Sequence, residues 1–157
     1  ANNFLSFEGF EVGKSLIEEN SDKIISEIYA KAEQNSCKII IPEDCKVSNS
    51  FEGNSATKRK NDIETNDIIL DIGPQTIKVI ENIIDKSSTV LWNGPAGYFE
   101  NKNFSTGTLA IANKISINTS GKSFISILAG GDTISALNKS DEKFTFTHLS
   151  TAGGAFL

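Results

Sequence analysis

Residues 124–137 constrain the fold most strongly, because they predict a buried strand, a glycine turn and the start of a helix in one stretch. Gly130 and Gly131 lack a Cβ atom, so the turn can adopt a positive φ and let an anion approach its N–H groups. Asp132 and Thr133 stand where N-cap residues stand, and the helix would direct its first N–H groups at the same point. The turn fits a phosphate site at which Asp132 holds a bridging Mg²⁺, and it also fits an ordinary capped turn.

Patterns typical of strands and helices alternate along the rest of the chain. Strands are predicted at residues 38–41, around Val47, and at residues 68–72, 89–92 and 144–149. Helices are predicted at residues 21–35, after Gly73-Pro74 and from about Ser105 onward. Residues 1–15 predict a short strand or turn, and residues 51–66 predict a polar surface excursion.

This alternation predicts βαβ units with right-handed crossovers. The expected fold is α/β, with a doubly wound, mostly parallel sheet that has helices on both faces. Ligands of such folds lie beyond the carboxyl ends of the strands, where the turns at Gly73 and at residues 93–100, 130–133 and 150–154 would converge. The sequence contains neither G-x-G-x-x-G nor G-x-x-x-x-G-K-[ST], so neither a dinucleotide fingerprint nor a P-loop is indicated.

Length and composition limit the remaining possibilities. A chain of 157 residues predicts one domain. The formal net charge of −5, from 20 acidic and 15 basic residues, argues against a protein that coats nucleic acid or an anionic membrane. Cys37 and Cys45 have neither CxxC spacing nor a neighbouring histidine, which argues against a zinc site or a redox pair. No apolar run or leader pattern indicates a membrane span or export, so we expect a cytoplasmic protein.

Three segments closely resemble phosphoglycerate kinase in their order and spacing. They are Trp92-Asn93-Gly94-Pro95 with Phe99-Glu100, then Ala129-Gly130-Gly131-Asp132-Thr133, then His148-Leu149-Ser150-Thr151-Ala152-Gly153-Gly154-Ala155. Gly13-Lys14-Ser15-Leu16 and Leu70-Asp71-Ile72-Gly73-Pro74 are similar to further segments of that family. The resemblance implies that residues 1–157 form one partial nucleotide-binding domain, the Rossmann-like C-terminal domain of the family, incomplete at both ends and without the N-terminal substrate domain.

The family resemblance implies a glycolytic phosphotransferase with a carboxyl group as acceptor. Such an enzyme transfers a phosphoryl group reversibly between 1,3-bisphosphoglycerate and ADP, giving 3-phosphoglycerate and ATP, and Mg²⁺ accompanies the nucleotide. The resemblance implies a monomeric whole enzyme without nucleic-acid or membrane partners. This chain alone is expected to be inactive, because the cationic substrate site and the domain that closes over the reactants lie outside it.

The resemblance also assigns roles to individual residues. The nucleotide would be bound by Gly73, Asn93, Gly94, Pro95, Glu100, Gly130, Gly131, Asp132 and Thr133. Within this set Glu100 would contact the ribose, residues 130–133 would cradle the phosphates, and Asp132 would be the metal ligand. The catalytic contacts would be backbone N–H groups of Gly131, Gly153 and Gly154, which would meet the transferring phosphoryl group.

Phosphoryl transfer depends on fixed donors and cations rather than on a nucleophilic side chain. His148, Ser150 and Thr151 are therefore not expected to form a nucleophile and base, and the resemblance places His148 near the hinge between domains. The sequence departs from the family pattern at Ala96, Ala129 and Ala152, where another apolar residue or glycine is common. Two other functions stay open: a non-catalytic module that holds ADP, and a degenerate fragment with an exposed apolar sheet edge.

Overall fold

The computed structural model describes residues 1–121 and 123–152. Lys122 and residues 153–157 lie outside the described residues, and with them lie two of the predicted catalytic residues, Gly153 and Gly154. The chain divides into two compact units, Ala1–Gly73 and Pro74–Leu157.

The first unit combines two helices with an antiparallel sheet in the order β2-β1-β3. Its elements, all within residues 1–73, are α1 (Asn2–Phe7), α2 (Asp22–Gln34), β1 (Asp44–Ser48), β2 (Ala56–Arg59), a 3-10 helix (Lys60–Asp62) and β3 (Ile68–Ile72). The core of this unit is a cluster formed by Leu5, Val12, Cys45, Val47 and Ile63. The predicted helix at residues 21–35 and the predicted strands around Val47 and at residues 68–72 are therefore confirmed.

The prediction of a short strand or turn at residues 1–15 is wrong for residues 2–7, which form helix α1. Phe4 and Phe7 both contact the ring of Tyr29 in α2, at centroid distances of 5.6 and 5.9 Å. Side chains three positions apart point to the same side of a helix, and in a strand they would point to opposite sides. The contact with Tyr29 therefore favours the helix.

Residues 38–41 form no strand, although β-branched side chains predicted one. Conversely, the polar segment 51–66 contains β2, which pairs antiparallel with β1. Lys58 of β2 forms an ion pair with the buried carboxylate of Asp67 at 2.7 Å. This contact ties the polar strand β2 to the residue that directly precedes β3. Backbone pairing and one partly buried ion pair thus stabilise a strand that has no apolar periodicity.

Strand β3 also pairs antiparallel with β1. The connections between β1, β2 and β3 contain no crossover helix, and parallel pairing of neighbouring strands needs a long crossover. Gly73 therefore follows a strand of this antiparallel sheet, not a parallel strand as the sequence analysis assumed.

The second unit is an α/β fold with a parallel sheet in the order β4-β5-β6. Its described elements are α3 (Pro74–Lys86), β4 (Thr89–Asn93), a 3-10 helix (Lys102–Phe104), α4 (Thr106–Gly121), β5 (Ile125–Ala129), α5 (Gly131–Asn138) and β6 (His148–Ser150). Helices α4 and α5 pack against β5, the central strand. The predicted α/β fold with a parallel sheet flanked by helices is confirmed.

Strand β6 is shorter than the predicted strand at residues 144–149. The N–H of Thr145 donates to the Ser116 hydroxyl at 2.8 Å, and the N–H of Thr147 donates to the Ser126 hydroxyl at 3.0 Å. The two serine hydroxyls accept hydrogen bonds that the N–H groups of a strand would donate to the neighbouring strand. Regular pairing therefore begins only at His148.

The two faces of the parallel sheet differ in burial. Trp92 of β4 lies beside Leu128 of β5, and they are 9% and 1% exposed. The Trp92 ring also approaches that of Phe146, with centroids 6.5 Å apart. On the opposite face Leu91 and Ile125 are 45% and 48% exposed. The core of this unit therefore lies on the Trp92 side of the sheet.

Neither cysteine forms a disulfide bond: Cys37 is exposed and Cys45 is buried. Burial raises the pKa of the Cys45 thiol to about 12, and the charges of Asp44 and Asp71 add to the effect. None of the helices within the described residues is long and apolar enough to cross a membrane.

Candidate functional site

Strand β4 ends at Asn93 and leads into a loop at residues 93–100, which connects the parallel sheet with α4. Gly94 adopts a φ of 99°, a conformation that side-chain-bearing residues rarely take. Its N–H donates to the Thr133 hydroxyl of α5 at 2.8 Å. Two motifs that are 39 positions apart in the sequence are therefore in direct contact.

The turn between β5 and α5 is built around Gly130, which is buried and has a φ of 95°. A Cβ atom at this position would lie 2.7 Å from Asn93 Oδ1 and 3.3 Å from Thr133 Oγ1. The N–H of Gly130 donates to the carbonyl of Ser150 at 3.1 Å. The carboxyl ends of all three parallel strands thus meet at one glycine.

Helix α5 begins at Gly131 and has glycine in its N-cap position, so no N-cap side chain bonds to its first turn. Among the described residues, apart from its chain neighbours and the backbone of its own helix, a Cβ atom at Gly131 would meet nothing within 4 Å. The first turn of a helix presents N–H groups that lack intrahelical acceptors, and its dipole favours negative charge. The first turn of α5 therefore offers backbone donors suited to a phosphate, and Gly131 presents no side chain there.

Asp132 is exposed in the first turn of α5. Within residues 1–121 and 123–152, no group of three or more His, Cys, Asp and Glu side chains could hold a metal ion. A carboxylate that acts as a single protein ligand suits Mg²⁺, which keeps waters and shares phosphate oxygens, better than it suits a cation that needs a protein cage. The Asp132 carboxylate therefore fits the predicted Mg²⁺.

The far part of the loop is held by contacts that the sequence analysis did not single out. Thr108 of α4, 1% exposed, accepts hydrogen bonds from the N–H groups of Ala96 at 3.0 Å and Gly97 at 3.4 Å. The Lys139 ammonium lies 4.9 Å from the centroid of the Phe99 ring. Helix α4 carries other polar residues, among them Thr106, Asn113 and Ser116, so no signal in the sequence singled out Thr108.

The remaining predicted residues are distributed as follows. Pro95 is half-buried within the loop, and Glu100 is exposed at its end. Gly73 belongs to the first unit, where its N–H donates to the carbonyl of Asp44 at 2.8 Å. His148 is exposed and pairs with Ile127 in the sheet. The structure therefore brings together Asn93, Gly94, Gly130 and Thr133 by direct contact, with Gly131 and Asp132 adjoining them.

The model of the phosphoglycerate kinase family matches residues 1–157. The phosphoglycerate kinase of Wolbachia pipientis wMel is 44% identical over 159 residues, which cover 100% of this chain and 40% of the relative. That of Zymomonas mobilis subsp. mobilis is 39% identical, with the same coverage of both chains. The chain thus spans about 40% of the length of the curated relatives that it matches.

Solved structures give the same result. The structure of phosphoglycerate kinase from Coxiella burnetii superimposes with a TM-score of 0.90 and 32% identity, covering 99% of this chain and 39% of that one. The enzyme from Pyrococcus horikoshii gives a TM-score of 0.70 and 25% identity, covering 98% and 38%. The resemblance recognised in the sequence motifs is confirmed, and the chain belongs to the phosphoglycerate kinase family.

Proposed function

We propose that this chain supplies the nucleotide side of a phosphoglycerate kinase, which transfers phosphoryl reversibly between 1,3-bisphosphoglycerate and ADP to give 3-phosphoglycerate and ATP. The acceptor in the reverse direction is a carboxyl group. The observation that carries the proposal is the meeting of three strand ends at Gly130, beside the open first turn of α5. Both units would form one partial nucleotide-binding domain of a monomeric, cytoplasmic glycolytic enzyme without nucleic-acid or membrane partners.

Each part of the site has a role in this proposal. Asn93, Gly94 and Pro95 lie along the nucleotide, and Glu100 contacts its ribose. The backbone of residues 130–133 holds the phosphates, and the N–H of Gly131 donates to the phosphoryl group in transfer. Gly73 is proposed to contribute a backbone group to the nucleotide. Gly153 and Gly154 are proposed to contribute backbone N–H groups to the phosphoryl group in transfer. Such fixed donors stabilise charge on the equatorial oxygens without forming a bond to phosphorus.

Asp132 is proposed as the protein ligand of Mg²⁺. Bound there, Mg²⁺ would neutralise charge on the phosphate oxygens that it bridges. Without the cation, the Asp132 carboxylate repels the phosphates, because both are negative. The side chain should therefore favour the nucleotide only in its magnesium form.

Replacing Asp132 with alanine should weaken binding of Mg-ADP by about tenfold or more, because a charged ligand of the cation is lost. Binding of metal-free ADP should stay unchanged or become tighter. Calorimetric titration of the folded chain with ADP, with and without Mg²⁺, measures both affinities. Asp141→Ala, which removes another exposed aspartate of the same unit, is the matched control and should change neither.

Equal losses of affinity in both titrations would remove the metal role of Asp132. Absence of saturable ADP binding by the folded wild-type chain would contradict nucleotide binding by this chain. If circular dichroism showed an unfolded chain, the degenerate-fragment alternative would be favoured.

The 157-residue chain by itself should show no turnover of 1,3-bisphosphoglycerate with Mg-ADP. Positioning of an acyl phosphate and exclusion of water need groups beyond the described site. A coupled assay for ATP formation tests this, with the Asp132→Ala variant purified in parallel to reveal contaminating kinase. Turnover that is present in the wild-type preparation and absent from the variant would contradict the expectation. Tight Mg-ADP binding without turnover also fits a non-catalytic nucleotide-binding module.

A further inference from the structure

The loop at residues 93–100 takes its shape from a side chain that lies outside the predicted site. Thr108, in the first turn of α4, directs its hydroxyl at the backbone of the loop. We propose that Thr108 is a positioning residue, which fixes this loop in the conformation that binds nucleotide. The inference rests on the proposed function, because it deepens the role of the loop in that site.

The contact is directed and buried. The Thr108 hydroxyl oxygen accepts from two successive N–H groups, those of Ala96 at 3.0 Å and Gly97 at 3.4 Å, and the residue is 1% exposed. A methyl group in place of this hydroxyl would leave both donors, which lie on half-buried residues, without this acceptor. The loop would have to move to find another protein acceptor or expose its N–H groups to water, because an unsatisfied donor is costly.

A second threonine hydroxyl holds the other side of Pro95. Thr133 is fully buried, and its hydroxyl accepts from the N–H of Gly94 at 2.8 Å. Three N–H groups of the loop are therefore held by two side chains, one from α4 and one from α5. Between them the ring of Pro95 restricts its own φ. This arrangement leaves the backbone from Gly94 to Gly97 little freedom to change shape.

The position of this backbone matters for the proposed site. Gly94 and Pro95 are proposed to lie along the nucleotide, whereas Thr108 is buried and its hydroxyl bonds to the backbone of the loop. Small displacements of binding groups by a remote change can cause large losses in function. Loss of the Thr108 hydroxyl should therefore weaken binding of nucleotide without removing any group that contacts it.

The test compares three variants by amide hydrogen exchange at Ala96 and Gly97 and by the Kd for Mg-ADP, at a temperature at which each is folded. Thr108→Val removes the hydroxyl and keeps the shape, and Thr108→Ser keeps the hydroxyl. Thr119→Val is the control in the same helix, since its hydroxyl bonds the Ile115 carbonyl at 2.8 Å and Ser126 at 2.7 Å, away from the loop.

We expect Thr108→Val to accelerate exchange at both amides and to raise the Kd about tenfold, the effect of losing a buried hydrogen bond acceptor. Thr108→Ser should restore both properties, and Thr119→Val should change neither, even if it lowers stability. If Thr108→Val does not fold, Thr108→Ala removes the same hydroxyl without adding a methyl group. Its hydrogen exchange and its Kd for Mg-ADP are then compared with those of Thr108→Ser and Thr119→Val.

Unchanged exchange or unchanged affinity in Thr108→Val would overturn the inference. Equal losses in Thr119→Val would also overturn it, because they would indicate a general effect on stability. A wild-type chain that binds no Mg-ADP would contradict the proposed function separately. Exchange at Ala96 and Gly97 would then still decide whether Thr108 fixes the loop.

Discussion

Replacing Gly130 with alanine should destabilise the second unit by about 2 to 4 kcal/mol, because the change adds backbone strain to a steric conflict. The backbone there has a φ of 95°, which L-residues with a side chain rarely adopt. The added methyl group would lie 2.7 Å from Asn93 Oδ1, so the Asn93 side chain or the turn would have to shift. Urea-induced unfolding followed by circular dichroism measures the loss.

The neighbouring glycine provides the matched control. Gly131 is the first residue of α5, has open space at its Cβ position and does not need a positive φ. Gly131→Ala should leave stability unchanged or raise it by about 0.5 to 1 kcal/mol, as alanine is favoured in helices. It should nevertheless weaken Mg-ADP binding, because its methyl group covers the N–H that would meet the phosphate. A larger loss of stability from Gly131→Ala than from Gly130→Ala would contradict this assignment.

Replacing Phe104 with alanine should lower the free energy of unfolding by about 3 to 5 kcal/mol, the range for truncating a buried phenylalanine. Phe104 is fully buried and ends the 3-10 helix that joins the loop at residues 93–100 to α4. Its N–H also donates to the carbonyl of Asn101 at 2.9 Å.

The same urea titration, applied to Ile117→Ala, serves as the control for Phe104→Ala. Ile117 lies in α4 and is 66% exposed, so its truncation should change stability by about 0.5 kcal/mol or less. If both variants unfolded at similar urea concentrations, the assignment of Phe104 to the core would be wrong.

The sequence was sufficient where one short stretch determines the structure. Strand β5, the turn at Gly130 and helix α5 follow one another directly, and the apolar run and the paired glycines marked the strand and the turn. Pro74 likewise marked the start of α3 without information from elsewhere in the chain. These elements were predicted correctly because their signals are local. The predicted N-cap position of Asp132 and Thr133 is wrong, because Gly130 occupies the N-cap and both residues lie in the first turn of the helix.

Predictions failed where distant residues decide the structure. Helix α1 depends on the contact of Phe4 and Phe7 with Tyr29, and this contact exists only after folding. The start of β6 is delayed because Ser116 and Ser126 bind the N–H groups of Thr145 and Thr147. In both cases a tertiary contact overrides the preference of the segment itself.

The candidate site shows the same division. The glycines and Asp132 were identified from local chemistry and the motif, and their roles toward nucleotide stay predictions. Thr108 was missed, because only the fold brings its hydroxyl to the amide of Ala96. Residues 130–133 were expected to cradle the phosphates, and the structure shows that the Thr133 hydroxyl accepts from the N–H of Gly94. The backbone of Thr133 keeps its proposed place in the first turn of α5.

The burial of Trp92 provides a spectroscopic means of following this site. It is the single tryptophan of the sequence, lies in the second unit and directly precedes Asn93. Its indole is shielded from water in the folded chain, so its fluorescence emission should shift to longer wavelength when the second unit unfolds. Emission from one native residue therefore follows the unfolding of the unit that carries the candidate site, without an attached dye.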